Sequence, residues 1–138
     1  MGARVVQRYI ANEISDDRLR LYVVWEPIRD HDDEARARSV TANLSDPRAR
    51  HFWVNDLAIS DSFKNPLGLV EETAWDVFLL FPPNAEWGAT APAPASFMHL
   101  YREEMPADLS LNGTKLAEAI KKLLAAPPAA SDGPAPAN

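Results

Sequence analysis

The chain has 138 residues, of which 46% are hydrophobic and 25% charged, a composition typical of one compact domain with an ordinary apolar core. Its net charge of −6 argues against nucleic acid or an anionic membrane as a partner, because such binding relies on clustered Lys and Arg. The absence of cysteine excludes disulfides, thiolate chemistry and cysteine-ligated metals in this chain. No stretch matches a secretion signal or a membrane span, so we expect a cytoplasmic protein.

The first third of the chain predicts a helix, a strand and a second helix. Apolar residues recur at helical spacing from Gly2 to about Asp16, although no side chain at the start can cap this helix. The run Leu19–Ile28 predicts a strand that is apolar on both faces and therefore lies inside a sheet. Asp32 or Asp33 then caps a helix that ends near Leu44.

The middle of the chain predicts a short strand over Ala49–Val54 and a short helix over Asp61–Leu67, which Gly68 closes. The run Ala74–Phe81 is again apolar on both faces, and it predicts the central strand of the sheet. Another strand is expected over Ala95–Tyr101.

The C-terminal helix has the clearest pattern. Its apolar residues fall at i, i+3, i+4, i+7 and i+8, and Asn112 or Thr114 can cap its start. These apolar residues are Leu116, Ala119, Ile120, Leu123 and Leu124. Residues 127–138 are rich in proline and alanine and predict a disordered tail after a domain that spans residues 1–126.

Three segments carry a resemblance to a known group of proteins. The runs Val23–Ile28, Asp46–Arg48 with His51–Trp53, and Ala74–Phe81 resemble bacterial thioredoxin-like proteins of uncharacterised role. The resemblance covers about residues 1–125, with the leading strand missing, and it implies an α/β fold with a mixed sheet covered by helices on both faces. It also implies a groove for a protein or peptide partner at one end of the sheet.

Two departures from the thioredoxin-like pattern bear on function. The Cys-x-x-Cys pair would fall just before Met1, and Ala74-Trp75 stands where the family has a cis-proline, so we expect an ordinary trans peptide there. One hypothesis is a cysteine-free domain that binds a partner without catalysis and without a cofactor. An alternative is an N-terminally truncated thiol-disulfide oxidoreductase or redox sensor, whose cysteines lie upstream of Met1.

Candidate partner-binding residues cluster around the predicted central strand: Ala74, Trp75, Asp76 and Trp87. Trp25 and Trp53 are better explained as core residues. A metal site of His31 with its neighbouring carboxylates is disfavoured, because consecutive residues at the start of a helix do not converge on one point. A site of His51, His99 and Asp76 is disfavoured because its spacing lacks the regularity of zinc motifs. A sheet without its leading strand would also leave an unpaired position, through which we expect a homodimer to form.

Overall fold

The computed structural model describes residues 1–69, 73–100 and 105–126, and these residues form a mixed α/β structure. The order of helices and strands is the one predicted. The elements are α1 (Gly2–Val6), β1 (Leu21–Trp25), α2 (Glu34–Val40), β2 (Ala49–Trp53), α3 (Ala58–Ser62), β3 (Val77–Leu80), β4 (Ser96–His99) and α4 (Gly113–Ala125). The predicted tail over residues 127–138 lies outside the described residues, as does Tyr101 at the end of the predicted fourth strand.

The N-terminal helix follows the predicted apolar spacing but changes its winding after Val6. A π-helical segment over Gln7–Ala11 continues α1, and the backbone N–H of Asn12 donates to the carbonyl oxygen of Gln7 at 3.1 Å. Met1, at the N-cap position of α1, makes no side-chain cap, as the sequence predicts. The helical region ends at Ala11, so the predicted extension to about Asp16 is wrong.

Side-chain caps define the starts of the two helices for which they are predicted. The carboxylate of Asp33 accepts the backbone N–H of Arg36 at 2.7 Å and thereby caps α2. The side-chain oxygen of Asn112 accepts the N–H of Lys115 at 3.0 Å and caps α4. Each cap satisfies an N–H group that has no partner inside the helix.

The strands pair two by two. β1 and β2 are parallel, with Leu21 opposite Ala49 and Trp25 opposite Trp53, whereas β3 and β4 are antiparallel. The prediction of one mixed sheet is therefore wrong for the described strands, which form two separate two-stranded sheets. β1 and β3 are not hydrogen-bonded to each other, and no described strand bonds to both of them, so the two pairs of strands are not joined.

Within the described part of the chain, helices cover β1 on one face only. Leu21 packs against the apolar cluster formed by the first and last helices, whereas Tyr22 and Val24, which point to the other side of the strand, are 66% and 40% exposed. The prediction that both faces of Leu19–Ile28 are covered is therefore wrong, because the helices pack on the Leu21 side. We call the uncovered side the bare face; its members are Tyr22, Val24, Arg50 and Phe52.

Two apolar clusters form the core. The first joins the N-terminal helical region to α4, and Leu21 of β1 and Leu80 of β3 pack against it. The second lies on the other side of β3, where Val77 and Leu79 pack against it. The buried members of the first cluster are Ile10, Ile14, Leu116, Ala117 and Ile120, and those of the second are Phe63, Leu69, Ala74 and Met105. Burial of each Leu, Ile, Phe or Met side chain contributes about 1.5–3 kcal/mol.

Two element boundaries differ from the sequence prediction for identifiable reasons. β3 begins at Val77 rather than Ala74, because Asp76 has a φ of 53° and this left-handed conformation interrupts the extended run. α3 begins at Ala58 rather than Asp61. The Glu26 carboxylate, at the end of β1, accepts the N–H groups at the start of this helix, including that of Ile59 at 3.0 Å. The carboxylate of Asp56 also accepts the N–H of Ala58 at 3.0 Å, a local cap that the sequence prediction missed. The cap from Glu26, 33 residues away, leaves no local sequence signal.

Candidate functional site: an aromatic groove at the ends of the parallel strands

The carboxyl ends of β1 and β2 open into a groove of about 350 Å³ that α2 borders. Trp25 and Trp53 end the two strands and lie opposite each other, and Ala37 of α2 is buried beside them. In open α/β sheets, the crevice beyond the carboxyl ends of parallel strands is where ligands bind. We call this site the aromatic groove; its lining residues are Trp25, Glu34, Ala37, Arg38, Thr41, His51, Phe52 and Trp53.

His51 has a defined tautomer, which its two hydrogen bonds determine. Its Nε2 lies 2.9 Å from the carbonyl oxygen of Leu44, and because a carbonyl oxygen only accepts, Nε2 carries the proton. Its Nδ1 is then the acceptor for the indole N–H of Trp25 at 3.3 Å. The two rings stack with an interplanar angle of 13°. Both ring nitrogens are engaged in holding Trp25, so His51 has no free nitrogen for a metal or for proton transfer.

Polar groups border the aromatic residues of the groove. The guanidinium of Arg38 lies 2.6 Å from the carboxylate of Glu34 one turn earlier on α2, and both side chains are mostly exposed. The indole N–H of Trp53 donates to the side-chain oxygen of Asn55 at 2.6 Å. An exposed ion pair contributes only about 0–1 kcal/mol, so a charged ligand group can replace either partner at little energetic cost.

The residues predicted for partner binding fall in a different part of the structure. Ala74 is 4% exposed and belongs to the second apolar cluster, so a partner cannot reach it without rearrangement. Trp75 is half-buried and Asp76 is exposed. Trp87 is 59% exposed, and its ring lies 5.1 Å from that of Phe81, between ring centroids. A groove at these residues stays a prediction.

The backbone around Ala74 agrees with the departure noted from the thioredoxin-like pattern. No peptide bond among residues 1–69, 73–100 and 105–126 is cis, so the bond between Ala74 and Trp75 is trans, as expected. The distinctive backbone position lies two residues later, at Asp76. Asp tolerates the left-handed region better than most residues, because its short side chain can hydrogen-bond locally.

The other candidate metal ligands are used structurally or lie at the surface. His31 is exposed, Asp32 accepts the backbone N–H of Arg29 at 2.9 Å, and Asp33 caps α2. His99 is 1% exposed, and its Nε2 is 2.9 Å from the carbonyl oxygen of Pro106. Within the part of the chain that the structure describes, no group of three or more His, Asp and Glu side chains could hold a metal ion.

Two Asp-x-Arg pairs have shifted pKa values, and both are structural. The side-chain hydrogen bond from Arg48 lowers the pKa of Asp46, and this pair is largely buried. The side-chain hydrogen bond from Arg18 lowers the pKa of Asp16, which is partly exposed, to about 2. In each pair the arginine stabilises the charged carboxylate, so neither aspartate is suited to act as a base at neutral pH.

Comparison of the chain with protein-family models, with curated proteins and with solved structures gave no match to any of them. The resemblance to thioredoxin-like proteins therefore stays a prediction. Among the residues described, no helix is long and apolar enough to cross a membrane.

The aromatic groove is the site that sequence reasoning missed. Trp25 and Trp53 each end a strand, and this common position was the available signal. Their side chains are half-buried, and they line the groove instead of filling the core. The sequence does not show that the two strands pair in register. Only that pairing places the indoles of Trp25 and Trp53 beside the same groove.

Proposed function

We propose that the chain is a non-catalytic binding domain, with a thioredoxin-like arrangement, that holds a protein or peptide partner in the aromatic groove. The observation that carries this proposal is the position of the groove at the carboxyl ends of β1 and β2, between Trp25 and Trp53. Tryptophan is enriched at the centres of binding patches, where its large surface and single N–H group combine apolar contact with orientation.

The size and lining of the groove favour a side chain of a peptide over a large cofactor. Its volume of about 350 Å³ is at the low end of the range of about 300–1,000 Å³ for drug-sized ligands. An apolar or aromatic side chain can pack between the indoles, and the backbone beside it can bond to the charged groups of Arg38 and Glu34. The hydrogen bonds that fix Trp25 against His51 preorganise this surface, which lowers the entropic cost of binding.

The chemistry of the lining residues supports a role without catalysis. Both nitrogens of His51 are engaged, and Glu34 is paired with Arg38. The chain contains no cysteine, so thiol-disulfide exchange has no nucleophile in it.

The thioredoxin-like part of the proposal rests on the order of elements and on the pairing within each sheet. A parallel pair, an antiparallel pair and a final helix follow one another, as the resemblance implies. The separation of the two sheets counts against one continuous thioredoxin-like sheet.

A peptide selection tests the proposed function. Peptides selected from a displayed random library against the full chain should bind wild type, and should lose about tenfold or more in affinity when Thr41→Trp fills the groove. Ala35→Trp adds the same side chain to an exposed position of α2 outside the groove and should leave binding unchanged. The indole N–H resonances of Trp25 and Trp53 should shift on binding in NMR spectra. Failure to select any peptide, or equal affinity for the two variants, would refute the proposal.

A further inference from the structure

The bare face is an apolar surface that the described helices leave uncovered. Tyr22 is 66%, Val24 40% and Phe52 48% exposed, and the rings of Tyr22 and Phe52 lie 6.2 Å apart, between centroids. Val24 and Phe52 are also directly opposite in the register of β1 and β2. These side chains form a contiguous patch, and a patch of large apolar side chains on a soluble surface marks an interaction site.

The parallel pairing of β1 and β2 makes this exposure unusual. Parallel strands occur almost entirely in sheets with helices on both faces, whereas antiparallel sheets commonly have one wet face. Helices pack on the Leu21 side of β1, but no helix of the described residues covers Tyr22 and Val24 on the other side. A helix is therefore the element that suits the bare face.

Arg50 indicates which charge a helix packed on the bare face would carry. It lies on the bare face opposite Tyr22 and is exposed, and its guanidinium makes no hydrogen bond or ion pair with the residues described. In a chain of net charge −6, the bare face thus presents a single unpaired cation within an apolar surface.

We propose that the bare face docks an amphipathic helix of a partner protein, with an apolar stripe over Tyr22, Val24 and Phe52 and a carboxylate paired with Arg50. A guanidinium and a carboxylate form strong, often bidentate hydrogen bonds, which would set the orientation of the helix. A second copy of this chain suits the face poorly. Stacking two bare faces would place two unpaired guanidiniums in one apolar contact without a carboxylate.

This docking does not depend on the proposed function, because the bare face and the aromatic groove are different surfaces that share only Phe52. Thr41→Trp fills the groove and leaves the bare face intact. Loss of helix binding in Thr41→Trp would assign that binding to the groove and overturn the present proposal, while supporting the proposed function.

The test is a displayed library of amphipathic helices with a constant apolar stripe and flanking positions randomised among Glu, Lys, Gln and Ser, selected against the full chain. Selected helices should be enriched in Glu, and Arg50→Glu should weaken their binding about tenfold. Lys-flanked versions of the same helices should bind Arg50→Glu better than wild type. Arg36→Glu makes the same charge change at an exposed position of α2 and should have no such effect.

A second variant, Phe52→Ser, should abolish helix binding without unfolding the chain, because the side chain is exposed; circular dichroism checks the fold. Selected helices without a Glu bias, or binding that is unaffected by Arg50→Glu, would overturn the proposal. So would the failure to select any helix. Sedimentation equilibrium of the wild-type chain tests whether a second copy of the chain binds the bare face instead. A dimer that Phe52→Ser abolishes would show that the face binds a second copy, which also overturns the proposal.

Discussion

Of the ion pairs among the described residues, the one between Arg48 and Asp46 is the most buried, so removal of Arg48 should disturb the fold more than removal of another paired cation. The side chain of Arg48 is 14% exposed and lies 2.8 Å from the carboxylate of Asp46, which is 9% exposed. The same guanidinium donates to the carbonyl oxygens of Ala11 at 3.0 Å, Ile14 at 2.5 Å and Asp16 at 3.2 Å. It therefore connects the end of the N-terminal helical region to the start of β2.

Arg48→Met should lower the free energy of unfolding by about 3–5 kcal/mol, the range for removing one partner of a buried ion pair. The variant leaves the Asp46 carboxylate without its cation, and it leaves backbone carbonyl oxygens without a donor. Urea unfolding followed by tryptophan fluorescence measures the loss, as a lower midpoint at an unchanged slope.

Two comparisons separate the effect of leaving a charge buried and unpaired from the effect of removing an arginine side chain. Asp46→Leu combined with Arg48→Met should recover part of the loss, because no uncompensated charge remains. Arg18→Met removes the same contact from Asp16 in a pair that is more exposed, and it should lower the urea midpoint much less than Arg48→Met does. Equal effects of Arg48→Met and Arg18→Met would refute the reasoning.

The pH dependence of stability follows from the lowered pKa of Asp46. The hydrogen bond from Arg48 holds this pKa below its ordinary value in the folded chain, so the stabilisation is fully present above about pH 4. It is lost as the pH falls through the folded-state pKa. As the pH falls below about 4, the free energy of unfolding should therefore decrease less in Arg48→Met than in wild type. An identical pH dependence of the two proteins would contradict this.

Three further changes test other parts of the structure. Gly113→Ala should lower stability by about 1–3 kcal/mol, because the added methyl would lie 2.3 Å from the Tyr9 ring, and this overpacking outweighs a gain in helix propensity of at most about 1 kcal/mol. A higher thermal midpoint would contradict that ranking. Asn112→Ala removes the cap of α4 and should lower the free energy of unfolding by about 1 kcal/mol, whereas Asn112→Asp should retain most of it in the same urea assay. In NMR titration, the pKa of Asp16 should be about 2 in wild type and return towards its ordinary value in Arg18→Met; no change would exclude Arg18 as the cause.

The elements whose signals are local could be predicted from the sequence. Asp33 and Asn112 cap α2 and α4 through bonds to residues three positions later, so the cap and its partner are close in the sequence. The end of β1 before Pro27 is equally local, because proline cannot donate to a ladder. The boundaries of α3 and β3 were predicted less well. The start of α3 depends partly on a long-range contact from Glu26, and the start of β3 depends on the left-handed conformation of Asp76.

The sequence predicted the type of residue in the candidate site but not which residues form it. The sequence indicates aromatic residues near strand ends, but it directs attention to Ala74, which is buried, and away from Trp25 and Trp53. Which indoles meet depends on strand pairing, and that pairing joins residues about 28 positions apart in the chain.

The amino-acid order by itself determined which segments of this protein become helices and strands, because periodicity, caps and proline act within a few residues. It also excluded thiol chemistry, since the chain has no cysteine. Only the tertiary structure decided that β1 and β3 lie in separate sheets, that one side of an apolar strand is bare, and that two tryptophans share a groove. The apolar pattern of a strand indicates that both of its faces avoid water, but it does not indicate whether a helix of the same chain covers each face.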